Sequence, residues 1–211
     1  MQWIILGIIV SYLIGSIPTA YIFGWILKGI DIRNFGSGNV GATNALRILG
    51  KGPGIMVLVL DILKGVVPVL FLGNFVMAMA KAEIAGIPDE MLRILLGLSC
   101  ISGHNWTIFL RFKGGKGVAT TLGVLLGLAV KVPGLKIVLG LVILTWTLMF
   151  ILVRIVSLAS VISSISLPIY MVLFKQPNFL ILFSIILAIF IILRHRFNIT
   201  RVLRGEERRL F

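Results

Sequence analysis

Acid is what this sequence has least of: seven Asp and Glu stand against 20 Lys and Arg in 211 residues. Asp31, Glu206 and Glu207, the acids near its basic connections, are too scattered to propose a carboxylate cage for magnesium, so a lipid kinase is disfavoured and no metal site is expected. Nor is there a Walker A loop, because that motif follows its Gly-Lys with Ser or Thr, and here Gly117 follows Lys116. The single cysteine, Cys100, lies in an apolar run and excludes an intrachain disulfide. Residues 1–27 lack a basic start and a small-residue cleavage site and run too long for a signal core, so they are expected to remain as a first membrane helix.

What the chain does have is hydrocarbon. At 59% hydrophobic residues and a mean hydropathy of +1.12, it reads as an integral membrane protein. The net charge of +13 would suit nucleic acid, yet the cations fall between and after apolar runs rather than on one soluble face. They read as topology signals and anion ligands, and no nucleic-acid partner is expected. Apolar runs near 2–27, 54–76, 91–110, 117–130, 135–153, 156–174 and 179–193 are candidate spans, since a hydrocarbon core needs ~20 helical residues. The expectation is one all-α polytopic domain, 1–211, of about seven transmembrane helices. The fourth run is short and the third contains Gly103, His104 and Asn105, so either could be broken or re-entrant. Fourteen of the 20 Lys and Arg lie in connections 28–53, 111–116 and 154 and in the tail from Arg194. The other face carries Lys81, Lys131, Lys136 and Lys175, with Glu83, Asp89 and Glu90 making the 74–90 loop net acidic. The positive-inside rule then places the N-terminus outside and the C-terminus in the cytoplasm, which needs an odd number of spans.

Two glycine-rich turns stand out against this background. Residues 111–121 hold Arg111, Lys113 and Lys116 among Gly114, Gly115 and Gly117, a cradle whose backbone amides and charges suit a phosphate. Residues 35–44 hold Gly36, Gly38 and Gly41 with Ser37, Asn39, Thr43 and Asn44 as donors. Their G-x-G-x-x-G has no βαβ unit around it, so a dinucleotide fold is rejected. What remains is a donor-rich turn opening a short amphipathic helix, with Arg47 about one turn in, or else a plain loop whose arginine only sets topology. The two turns share F-x-x-G-x-x-x-A-T, Phe35 with Phe112 and Gly38 with Gly115, by chance or because both bind phosphate.

Other polar groups have two readings each. Asp61 and Lys64, three apart in the second span, pair structurally or, less often, bind a ligand. His104, before Asn105 and Trp106, is a base or shapes the turn that follows. Ser157 and Ser160 share a helix face after Arg154, and such serines commonly bond back to the helix. His195 and Asn198 share a face among the tail arginines, which would also serve as a lipid-headgroup patch.

Taken together, these residues resemble the acyl-phosphate-dependent glycerol-3-phosphate 1-acyltransferases of bacterial membranes. The likeness runs through Ser11-Tyr-Leu-x-Gly-Ser-Ile-Pro-Thr19, the 35–44 turn, Asp61-x-x-Lys-Gly65 and Gly103-His-Asn-Trp. It continues through Phe112-Lys-Gly-Gly-Lys-Gly-Val-Ala-Thr120, Arg154-x-x-Ser-Leu-x-Ser160 and Arg194-His-Arg-x-Asn-Ile199. The resemblance implies acyl transfer from acyl phosphate to the 1-hydroxyl of glycerol 3-phosphate, giving lysophosphatidic acid and inorganic phosphate without a cofactor. It implies a multi-pass inner-membrane protein with its active site toward the cytoplasm. It carries over Ser37, Arg47, Lys116, Ser157, His195 and Asn198 as the active-site set. The 35–44 amides with Gly38, Asn39, Gly41, Thr43 and Asn44 would hold the acceptor's phosphate; the 114–117 backbone would take the donor phosphate, and His104 would be a substrate-binding residue. Membrane lipids are expected partners, the protein is expected to be monomeric, and the enzyme that makes acyl phosphate is an expected contact. A transporter or channel for a phosphate-bearing solute is the competing reading; its ligands would sit near the midplane in inverted repeats. The proton acceptor stays open between His195 and a substrate phosphate, because no acid follows His104 or His195 at the H-x-x-x-x-D spacing.

Overall fold

Every apolar run expected to span is helical in the computed structural model, which describes residues 2–80, 86 and 88–210. Helices α1 (Gln2–Ser16) and α2 (Thr19–Lys28) lead through a 3-10 turn, Ile32–Asn34, to the short α3 (Ala42–Leu49). Then come α4 (Lys51–Val67), a π-helical turn at Pro68–Leu72, α5 (Gly73–Met79), α6 (Asp89–Asn105), a 3-10 turn at Ile108–Leu110 and α7 (Val118–Lys131). After them follow α8 (Leu135–Val153), α9 (Val156–Leu173), α10 (Asn178–Arg194) and α11 (Arg196–Leu203), and no strand occurs among the described residues. Four stretches are long and apolar enough to cross a membrane alone: Gln2–Lys28, Lys51–Met79, Leu135–Val153 and Val156–Leu173. A fifth is the pair α10 and α11, bent by 63°. Lys81 and Glu83, which enter the charge argument for orientation, lie outside the described residues. The chain forms two compact units, Met1–Lys131 and Val132–Phe211.

In the first unit small residues let helix backbones meet. Helix α1 buries Gly7, Ser11 and Gly15 at four-residue spacing, and a Cβ on Gly15 would lie 1.9 Å from the Cys100 carbonyl oxygen of α6. Helices α4 and α7 meet the same way, a Cβ on Gly123 falling 2.0 Å from the Ile62 oxygen. Such spacing is how apolar helices associate in lipid, where packing replaces the hydrophobic effect.

The first span is broken at Pro18, whose ring cannot donate to the helix. Asp61 and Lys64 repair that break. They are buried and 2.7 Å apart; Lys64 Nζ donates to the Ile17 carbonyl (2.9 Å) and Asp61 accepts from Thr19 Oγ1 (2.5 Å). Each charge alone would cost ~2.5–3.5 kcal/mol at a bilayer centre, so full partnering is what keeps them there. Structural pairing is therefore the reading the geometry supports. Arg93, which drew no attention in the sequence, secures the π-helical turn in a similar way. Buried, it ion-pairs with Asp89 at 2.8 Å and donates to the Val69 carbonyl in that turn and to Asn74 Oδ1.

In the second unit α9 packs against both α8 and α10. Arg154 turns α8 into α9 from a left-handed conformation (φ 57°, ψ 21°), and its carbonyl accepts from the Leu210 amide at 2.9 Å.

Candidate active site

The turn at 111–117 is built by the end of α6. Gly115 N donates to the His104 carbonyl (3.0 Å) and Gly114 N to the Asn105 carbonyl (3.2 Å), which lays the glycines flat against the α6 terminus. Close approach, rather than backbone handedness, requires two of these glycines. A Cβ on Gly114 would lie 2.1 Å from the His104 oxygen, and one on Gly115 would lie 2.1 Å from His104 Nε2. Only Gly117 is left-handed (φ 74°); its amide precedes α7, whose first bond runs from Thr121 N to the Gly117 carbonyl at 2.7 Å. His104 is thus buried against its own turn and shapes it, and Lys116 is carried at the mouth of a helix N-terminus, where charge and amides favour an anion.

The turn at 35–44 is held by Asn44, which is 1% exposed. Its Oδ1 accepts from Ser37 N (2.9 Å), and its Nδ2 donates to the Ile32 (3.3 Å) and Phe35 (3.1 Å) carbonyls. Asn44, expected as a phosphate donor, is therefore spent on the loop's own backbone. Ser37 and Gly38 are exposed, Gly38 in a left-handed turn (φ 69°), while Gly41 is extended at φ −121° and caps α3. Asn39, Thr43 and Arg47 are half-buried around that helix start. The shared F-x-x-G-x-x-x-A-T is matched at its end, since Ala42-Thr43 and Ala119-Thr120 both lie in the first turn of a helix. It is not matched at its glycine: Gly38 has positive φ and Gly115 does not.

The two turns lie side by side within the first unit. Val40 of the first and Leu110, the residue just before the second, share an apolar cluster with Ala20, Ala45, Leu49 and Val57. Val40, His104 and Gly115, with Ser16, Lys64 and Thr107, also line one cavity of about 10 Å³, room for a single water. A donor-rich turn and a cationic, glycine-rich turn are thus packed against each other in the first unit.

In the second unit Ser157 and Asn198 meet at a carboxylate that sequence reasoning set aside as too scattered for a metal site. Ser157 Oγ (2.7 Å) and Asn198 Nδ2 (2.5 Å) both donate to Glu207 Oε1, and Arg201 Nε donates to Oε2 at 2.7 Å. Burial works to raise the Glu207 pKa, but the hydrogen bonds from Arg201, Asn198 and Ser157 outweigh it and hold the carboxyl below its usual value. The two serines have different partners: Ser157 meets Glu207, while Ser160 donates to the Val156 carbonyl (2.8 Å) and accepts from Trp146 Nε1 (3.2 Å). Only a chain reversal makes this possible: left-handed Gly205 closes α11 with Glu206 N on the Arg201 carbonyl (2.8 Å) and Gly205 N on that of Val202 (3.0 Å). That glycine, set after a helix and before two acids, is the signal that would have found Glu207. His195 sits buried at the 63° bend, Nδ1 2.8 Å from the Ile191 carbonyl. A carbonyl only accepts, so in the neutral ring Nδ1 carries the hydrogen and Nε2 keeps the basic lone pair. Among the described residues no cluster of three metal-ligating side chains occurs.

Among the described residues the protein is all-helical, with long apolar spans and small-residue helix contacts, and it belongs to the class of polytopic membrane proteins. The family profile described as Glycerol-3-phosphate acyltransferase matches residues 5–205. Glycerol-3-phosphate acyltransferase 2 of Moorella thermoacetica is 45% identical over 209 residues, covering 99% of this chain and 98% of that one. A Prochlorococcus marinus glycerol-3-phosphate acyltransferase is 40% identical over 98% of this chain and 97% of its own. Among solved structures, crystal forms of PlsY (YgiH), an integral membrane glycerol 3-phosphate acyltransferase, superpose well. The glycerol 3-phosphate form does so with a TM-score of 0.82 at 38% identity, over 98% of this chain and 94% of that one. The lysophosphatidic acid form gives 0.79 at 37% identity over the same shares. The chain belongs to the glycerol-3-phosphate acyltransferase family, and it is a membrane acyltransferase rather than a transporter.

Proposed function

We propose that this enzyme takes a fatty acyl group from acyl phosphate and places it on the 1-hydroxyl of glycerol 3-phosphate, the first acylation of phospholipid synthesis. The observation that carries the two-phosphate reading is the pairing of turns 35–44 and 111–117 around Val40, Leu110, His104 and Gly115. The acceptor hydroxyl oxygen attacks the acyl carbon, the new ester C–O bond forms, and the bond to the phosphate oxygen breaks with its electrons leaving on inorganic phosphate. A mixed anhydride already has a good leaving group, so neutralising charge and positioning reactants supply much of the catalysis. Lys116 and the amides of 114–117 take the donor phosphate and the developing oxyanion. Arg47, Ser37 and the amides of Gly38, Asn39, Gly41 and Thr43 take the acceptor's phosphate. The proton leaves to a basic atom, for which His195 Nε2 and a substrate phosphate oxygen are the two candidates.

In this reading residues 1–211 are a single transmembrane domain of seven spans, with the N-terminus outside and the active site on the cytoplasmic face of the inner membrane. The protein works as a monomer with acyl phosphate, glycerol 3-phosphate and lipid as its partners. The test is phosphate release by purified protein given acyl phosphate and glycerol 3-phosphate, without nucleotide, thioester or metal. Lys116→Ala should lower the rate by at least ~10²-fold, as removal of a transition-state donor does. A near wild-type rate would refute the assignment. His195→Asn retaining most of the rate while His195→Ala does not would exclude the imidazole as base.

A further inference from the structure

Between the end of α6 and the glycine turn, residues 106–113 show apolar side chains outward. Ile108, Phe109 and Phe112 are 50%, 59% and 58% exposed, next to exposed Arg111 and Lys113. The turn is clamped from behind rather than loose. Thr107 Oγ1 donates to the Ser16 carbonyl (2.5 Å), Tyr12 OH donates to the Trp106 carbonyl (2.6 Å), and Leu110 is buried in the apolar cluster behind. Arg111 (φ 54°) and Phe112 (φ 61°) are both left-handed, a conformation in which a Cβ crowds the backbone. Phe112 N donating to the Thr107 carbonyl at 2.8 Å holds them so. Most of the turn's amides are satisfied internally: Trp106 N and every amide from Phe109 through Gly115 donate within the unit. A water-facing loop has no need of that, whereas backbone at membrane depth does. Length points the same way, since α6 has 17 residues. At 1.5 Å per residue it reaches about 25 Å, some 5 Å short of a ~30 Å hydrocarbon core.

We propose that residues 106–113 form a knuckle embedded in the lipid leaflet. Ile108, Phe109 and Phe112 lie among the acyl chains and complete the hydrophobic thickness that α6 lacks. Arg111 and Lys113 reach lipid headgroup phosphates. The occupant is the bilayer rather than a protein, because the side chains pair an apolar tip with cations at its rim, the pattern of an anionic amphiphile. The acyl donor has the same chemistry, an apolar tail and an anionic head, so the knuckle would pass it along the leaflet to Lys116, three residues beyond Lys113. That last link rests on the reaction proposed above.

The test uses the full chain in nanodiscs containing anionic lipid. With Cys100→Ser, nitroxide labels go on Ile108→Cys, Phe109→Cys and Phe112→Cys singly. Leu152→Cys, on the strongly exposed α8 surface, and Arg209→Cys in the tail are the lipid and water references. Power-saturation EPR compares collision with oxygen, which concentrates in lipid, against a water-soluble nickel chelate. Oxygen should dominate at Phe109 and Phe112 as at Leu152. Nickel dominating as at Arg209 would overturn the proposal, as would exclusion of both reagents, which would mean a protein partner or second copy covers the knuckle. Three label sites keep the answer readable if one variant fails to fold. No turnover is needed, so a failed depth result and a failed acyltransferase assay are separate findings.

Discussion

Replacing Glu207 tests whether the second unit's functional side chains are set by one carboxylate. Glu207→Ala leaves two buried donors, Ser157 Oγ and Asn198 Nδ2, without their acceptor; these residues are 7% and 6% exposed. A buried donor stripped of its partner costs ~1–3 kcal/mol, so the two together should cost ~2–6 kcal/mol. Arg201 adds little, because its side chain is 42% exposed and water can replace the carboxylate. Glu207→Gln keeps a neutral oxygen for Ser157 and Asn198 and should cost only about 1 kcal/mol. Thermal unfolding in detergent reads the stability, and phosphate release reads the placement of Asn198, which should fall at least ~10-fold in Glu207→Ala. The pH dependence has a definite sign. The folded carboxyl titrates below its ordinary 4.5, so its stabilisation is complete above that value and fades as pH falls through the lower folded one. The wild-type melting temperature should therefore drop on acidification more steeply than that of Glu207→Gln. Equal loss in the Ala and Gln variants, or none in either, would refute the account.

Three further outcomes follow from the packing. Gly114→Ala drives a methyl to 2.1 Å from the His104 oxygen, so it should cost ~1–3 kcal/mol and displace Lys116 enough for a ~10²-fold loss of rate. Gly140→Ala, with no atom within 4 Å of its Cβ, is the control and should melt at or above wild type. Asp61→Ala strands a buried Lys64 and should cost ~3–5 kcal/mol, much of which Asp61→Ala with Lys64→Ala together should restore; a double variant worse than the single would contradict the pairing. The last is kinetic: Ser160→Ala should leave turnover nearly unchanged, since its hydroxyl donates to the Val156 carbonyl, while Ser157→Ala should lower it, measured in the same phosphate-release assay.

What the sequence determined by itself is whatever depends on nearest neighbours and on medium. Seven apolar runs had to become helices, because in hydrocarbon a backbone must satisfy itself. The glycines at 35–44 and 111–117 marked two turns, and Asp61 with Lys64, three apart on one helix face, marked a pair within reach of each other. Tertiary structure decided the rest. Asn44 reads as a donor until Ile32, Phe35 and Ser37 fold onto it, and Gly114 and Gly115 read as flexible until the α6 carbonyls lie against them. Ser157 and Ser160 are equivalent on a helical wheel and are separated only by Trp146 on one side and Glu207 on the other. Glu207 itself was legible only as a stray acid in a basic tail, since its meaning depends on the reversal at Gly205 that returns it to Asn198. Hydropathy and motif spacing are local quantities; which polar atom is left for a substrate is settled by every backbone group that claims it first.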